Sequence, residues 1–247
     1  MDKKIVQKIA MPFLHLLWVG LIFIGVSIFI GDFVRAFASD FLVNWLATPF
    51  GSAVLSMIVY ALIACVVILP YILLKLPWKS ILRRLGMTKF EPLPMFVWAL
   101  FAWGLSMVAT TIVVFVLVAL NVPGLQLDQK QEIGFENLSS IGEYVAAFFV
   151  LVVLAPLFEE IIFRGYLQKR LRETRGVVFS IVFSSLIFAV LHFQLNVIIS
   201  VFVLSLFIGY LREKFDSIWP GVMVHALKNG LAYMLLFILP LYGLSLV

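Results

Sequence analysis

Four short stretches carry residue types able to do chemistry where the surrounding chain is almost wholly apolar. The first is Pro156-Leu157-Phe158-Glu159-Glu160-Ile161-Ile162-Phe163-Arg164-Gly165, with two adjacent carboxylates. The second is Phe188-Ala189-Val190-Leu191-His192. The third is His225-Ala226-Leu227-Lys228-Asn229, and the fourth is Lys228 itself, inside the third. A charged group at membrane depth costs roughly 3 kcal/mol or more on insertion scales, so such groups persist where they face the protein interior.

Spacing separates the two carboxylates. Glu160 and Arg164 are four residues apart and can pair on one helix face. Glu159 points about 100° away from Glu160 on a helix of 3.6 residues per turn. It has no sequence-local cation on its own face, which suits a general base better than an ion-pair member. His225 and Asn229 are also four apart and share a face. Two polar groups on one membrane-helix face act as interhelical glue or line a cavity. A lone histidine such as His192 is by default a satisfied core residue. His15, the third histidine of the chain, reads as structural. Lys228 either snorkels or lies near the acidic pair.

Together these groups offer two kinds of chemistry. Glu159 and His192 can hold and deprotonate a water, with His225 and Asn229 donating to the oxyanion formed when that water attacks an amide. Alternatively, Glu159, His192 and His225 can ligate a divalent metal such as zinc, leaving an open position for water. There is no H-E-x-x-H and no G-x-S-x-G. Cys65, the single cysteine, has no nearby base and lies in an apolar run. Nucleophilic catalysis by Ser or Cys is therefore weakly supported.

The elements that must position these residues are membrane helices. Of the 247 residues 64% are hydrophobic and 13% charged, and mean hydropathy is +1.13. A soluble domain is about half apolar and a quarter charged, so lipid is the solvent for most of this chain. The expected fold is all-α: a polytopic transmembrane bundle of about seven spans (range six to eight), one membrane domain over 1–247, with the motif-bearing half at about 143–247. The spans are read at about 11–30, 52–74, 95–120, 143–163, 177–193, 196–211 and from 219 onward. An amphipathic stretch at 32–50 is expected to lie at the interface or to dip partway into the membrane. Residues 1–8 are basic and precede an apolar run, but Gly31-Asp32-Phe33 is a poor cleavage site, so the run is read as a retained first span. Asn121-Val122-Pro123-Gly124 reads as a turn, and Ser139-Ser140 before Glu143 as a helix start.

Charge sets orientation. In a seven-span arrangement four basic groups fall on one side: Lys3, Lys4 and Lys8; Lys75 to Lys89; Arg164 to Arg175; Arg212 and Lys214. Only Arg35 and Lys130 fall opposite. The positive-inside rule then places the N-terminus in the cytoplasm, in a multi-pass protein of the cell membrane. The same distribution assigns the net charge of +5 to topology, with no nucleic-acid partner.

The ordered trio Glu159-Glu160-x-x-x-Arg164, Phe188-x-x-x-His192 and His225-x-x-x-Asn229 resembles the CAAX prenyl protease type II and bacteriocin-processing family (CPBP, or Abi) of intramembrane proteases. The resemblance covers about 151–231. It implies an endopeptidase with its active site within the membrane, opening toward the cytoplasm. It further implies Glu159 and His192 as water activators and His225 and Asn229 as the oxyanion hole. Glu160 and Arg164 complete the first motif. Both a metal-dependent and a metal-free glutamate mechanism have been proposed for the family. Implied partners are the bilayer and a peptide or lipidated-protein substrate: prenylated CAAX-type proteins, or small peptides such as bacteriocins. The competing reading is a non-proteolytic transporter or bacteriocin self-immunity protein, since intramembrane Glu, His and Lys also serve proton-coupled transport. Against transport, the sequence has no evident inverted repeat.

Overall fold

A computed structural model describes residues 39–125 and 138–244, Phe135 and scattered positions between 14 and 36. His15, Arg35 and Lys130 lie outside the described residues. All regular structure among the described residues is helical. In chain order the helices are α1 (Asp40–Leu46), α2 (Pro49–Leu73), α3 (Trp78–Arg84), α4 (Pro92–Ala119), α5 (Ile141–Arg175), α6 (Val177–Val190), α7 (Leu195–Phe215) and α8 (Trp219–Tyr242). A further apolar helix over Gly20–Phe33 covers part of the expected first span.

Five helices, α2, α4, α5, α7 and α8, are long and apolar enough to cross a membrane; α6 and Gly20–Phe33 are apolar but shorter. The all-α polytopic bundle read from the sequence is the fold observed. Most span ends shift by a few residues, and two differences are larger. The fourth span continues past Phe163, because Arg164 and Gln168 are buried and allow the helix to carry on to Arg175. The basic stretch Lys75 to Lys89, read between spans from the sequence, holds the short helix α3 directly after Pro77.

Local chemistry starts and stops these helices as expected. Thr48 caps α2 by accepting from the Gly51 N–H at 3.1 Å, and Pro49 occupies the first turn. Ser140 and Glu143 form a reciprocal capping box at the start of α5. After α4, Asn121 and Gly124 take left-handed conformations with φ of 50° and 81°. Helix α5 is not uniformly α: Phe149–Leu154 and Ile161–Gln168 are π-helical and flank the segment Ala155–Glu160, which contains Pro156. Proline lacks the N–H that would bond four residues back, and π segments are a common accommodation of such interruptions. Segments of this kind recur at functional sites.

The described helices form two compact units, divided between Glu159 and Glu160 on α5 and between Val224 and His225 on α8. In the first unit α7 packs on α6 and α4. Its core gathers Ala99, Ala102, Leu204, Ile208, Leu211 and Val224. Glycine permits one close approach there: a Cβ on Gly165 would stand 2.8 Å from the Leu85 carbonyl oxygen. In the second unit α2 packs on the first half of α5. Its core gathers Ala53, Phe135, Ala147, Val150, Val152 and Tyr233. Outward faces carry large apolar side chains, such as Phe101, Val108 and Phe115 on α4, as lipid-facing surfaces do.

Candidate active site

Glu160 and Arg164 form the buried pair that their spacing predicts. Glu160 Oε1 lies 3.2 Å from Arg164 Nη1 with neither side chain exposed. Arg164 also donates through Nη2 to Ser205 Oγ on α7 at 2.6 Å, and its guanidinium sits 4.7 Å over the Phe188 ring. The Glu160 carboxylate fits against Gly221: a Cβ there would stand 2.9 Å from Glu160 Oε2 and 2.7 Å from Ile208 Cγ2. The polar row continues along α5. Gln168 Nε2 donates to the Gly209 carbonyl at 3.0 Å and to Glu213 Oε1 at 2.9 Å. Arg172 Nε lies 2.9 Å from Glu213 Oε2. A ladder of polar side chains four residues apart on α5 thus meets a matching row on α7. A buried pair is costly to desolvate; here Arg164 adds the Ser205 hydrogen bond and the Phe188 ring to its contact with Glu160.

His192 sits just past the end of α6, within the first unit. Its Nδ1 is 2.9 Å from the Phe188 carbonyl oxygen. A carbonyl only accepts, so Nδ1 carries the hydrogen, and in the neutral ring Nε2 holds the lone pair of a base. This contact satisfies one of the carbonyls that every helix leaves open at its C-terminus. The Phe188 ring meets the His192 ring edge-on at 5.1 Å and the Phe163 ring at 4.8 Å. The phenylalanine of the second motif therefore links Arg164 of the first motif to its own histidine.

Glu159 belongs to the second unit, with His225 and Asn229. Its Oε1 accepts from the Tyr60 hydroxyl at 3.0 Å, and its Oε2 lies 3.6 Å from His225 Nε2. Lys228, on the same helix as His225, attracts the carboxylate electrostatically. The Glu159 and His225 side chains are 17% and 5% exposed, so the carboxylate–imidazole pair is largely removed from solvent. The Asn229 Nδ2 donates to the Leu151 carbonyl at 2.8 Å, in the first π-helical segment of α5. A carboxamide nitrogen carries two hydrogens, so this bond orients Asn229 and leaves a second donor.

Glu159 lacks a sequence-local cation, but it gains partners from elsewhere in the chain. Its neighbours come from α2 and α8, which sequence-local reasoning could not reach. Lys228 gains part of an account, as a buried amine within electrostatic reach of Glu159. The structure joins Glu159 with His225, and Glu160 with Arg164. His192 it joins to the Phe188 and Arg164 side. Sequence reasoning missed Tyr60, Gln168, Ser205, Glu213 and Gly221. For Gln168, Ser205 and Glu213 the four-residue period was the available signal; for Tyr60, 99 residues from Glu159, there was none. Among the described residues no three His, Cys, Asp or Glu side chains converge on a metal-holding arrangement.

A helical membrane protein with a sheltered carboxylate–imidazole pair and an oriented carboxamide has the groups that hydrolysis of an amide requires. Residues 141–231 match the family described as Rce1-like: Type II CAAX prenyl endopeptidase Rce1-like. That stretch is under half of the chain but holds all three motifs, and it supports the likeness to CAAX prenyl endopeptidases read from the sequence. No curated protein and no solved structure matches it.

Proposed function

We propose that the chain is an intramembrane endopeptidase in which Glu159 activates the attacking water. The observation that carries this reading is the Glu159 carboxylate held by Tyr60 and facing His225 in a little-exposed, apolar setting. Glu159 takes a proton from water, and His192 is the second water-activating residue that the family resemblance implies. The water oxygen adds to the scissile carbonyl carbon. His225 and Asn229 donate to the oxyanion that forms, and the proton held by Glu159 passes to the leaving amine. Glu160 and Arg164 hold the first motif in place.

The substrates in this reading are membrane-associated: prenylated CAAX-type proteins, or small peptides such as bacteriocins. The protein sits in the cell membrane with its N-terminus and basic loops cytoplasmic. The test is to offer the purified protein paired peptides, with and without a prenylated cysteine, and to read cleavage by mass spectrometry. Cleavage at one bond supports the endopeptidase, and the preferred member of each pair gives the substrate class. A parallel chelator series, with and without added zinc, separates metal from glutamate chemistry. If no peptide is cut while reconstituted vesicles show proton-coupled uptake, the transporter reading replaces this one.

A further inference from the structure

We infer that Tyr60 is a positioning residue that fixes which oxygen of Glu159 acts on water; this role rests on the reading of Glu159 given above. A carboxylate on a glutamate rotates readily about its last bond, whose torsion is broad. A general base that must reach one water therefore gains from having one oxygen tied down. Here the Tyr60 hydroxyl occupies Oε1 at 3.0 Å, which leaves Oε2 directed to the His225 side, 3.6 Å from Nε2. A phenol in an apolar helix needs a hydrogen-bond partner, and Tyr60 on α2 finds Glu159.

The phenol is itself held. Its ring stacks on Phe158, the residue before Glu159, with centroids 5.9 Å apart and planes 4° from parallel. One ring thus grips both the side chain preceding the carboxylate and the carboxylate itself. The other groups facing Glu159 are His225 and Lys228, both on α8. Neither occupies Oε1, so Tyr60 has no understudy for this bond among the described residues.

The stacking could serve packing alone, and the variants separate the two roles. Tyr60→Phe keeps the ring and removes only the hydroxyl; Tyr60→Leu removes both. Both are measured on a peptide that the parent cleaves, reading kcat and KM apart and a thermal midpoint in the same detergent. We expect Tyr60→Phe to lower kcat by about tenfold to a hundredfold, the scale of one hydrogen bond to a charged group, with KM within about twofold and an unchanged midpoint. In a Glu159→Asp background, whose shorter side chain withdraws the carboxylate from the phenol, Tyr60→Phe should cost less than about threefold. If Tyr60→Phe keeps the parent's kcat, or its loss is undiminished beside Glu159→Asp, the role is overturned and Tyr60 only packs. If the parent cleaves nothing, the endopeptidase reading falls and this role with it.

Discussion

The Glu160 carboxylate and the Arg164 guanidinium meet at 3.2 Å with neither side chain exposed, while Glu159, one residue earlier, sends its carboxylate to Tyr60 and His225. Adjacent residues of one sequence motif thus serve separate surroundings. Removing one partner of a buried pair leaves an uncompensated charge, at a cost of about 3–5 kcal/mol. Glu160→Gln and Arg164→Ala should therefore sharply lower the folded fraction recovered by size exclusion. Glu159→Gln should leave it near the parent's. Equal losses for all three would contradict the division of roles.

Gly221 supplies the space that Glu160 occupies. An added methyl would press on Ile208 Cγ2 at 2.7 Å and Glu160 Oε2 at 2.9 Å. Gly221→Ala should cost about 1–3 kcal/mol, the usual range for overpacking. Gly104→Ala is the control, because nothing stands within 4 Å of a Cβ there. Thermal midpoints in detergent should fall for the first and hold or rise for the second.

Much of this arrangement was legible because it is local. Glu160 and Arg164 sit one turn apart, so their pairing needed only helix geometry. The same spacing placed His225 and Asn229 on one face, and the capping box at Ser140 was readable from three residues. What was not legible is long-range. Tyr60 is one aromatic in an apolar run, and only tertiary packing brings it to Glu159 across 99 residues. The π-helical turns of α5 likewise answer to packing and to Pro156, not to a residue pattern. The row Gln168, Ser205, Glu213 lay between: its period was visible, but its partners required both helices.

Asp216 gives a pH-dependent handle outside the spans. It ends α7 in a left-handed conformation, φ 48°, with Oδ1 3.1 Å from Arg212 and Oδ2 3.5 Å from Lys89. Partial burial pushes its carboxyl up, but the Arg212 guanidinium and the Lys89 ammonium outweigh that and hold it below the ordinary aspartate value of 3.8. A carboxyl with a depressed folded-state pKa stabilises above its unfolded value and loses that contribution as pH falls through the folded one. Its side chain is 56% exposed, so the pair contributes no more than about 1 kcal/mol. Asp216→Asn, which tolerates the same backbone, should lower the thermal midpoint slightly at pH 7. The gap should close as the acid range below about pH 4 is entered. A gap that persists or widens in acid would contradict the assignment.

The role of Glu159 is tested most directly by the rate of peptide hydrolysis by the parent and by Glu159→Gln, in the same detergent and with matched thermal midpoints. The substitution keeps the shape of the side chain and removes its basicity. The predicted result is cleavage by the parent and a loss of at least about a hundredfold in kcat for Glu159→Gln, the lower bound of what a general base contributes. A folded Glu159→Gln protein that cleaves at the parent's rate would contradict the assignment.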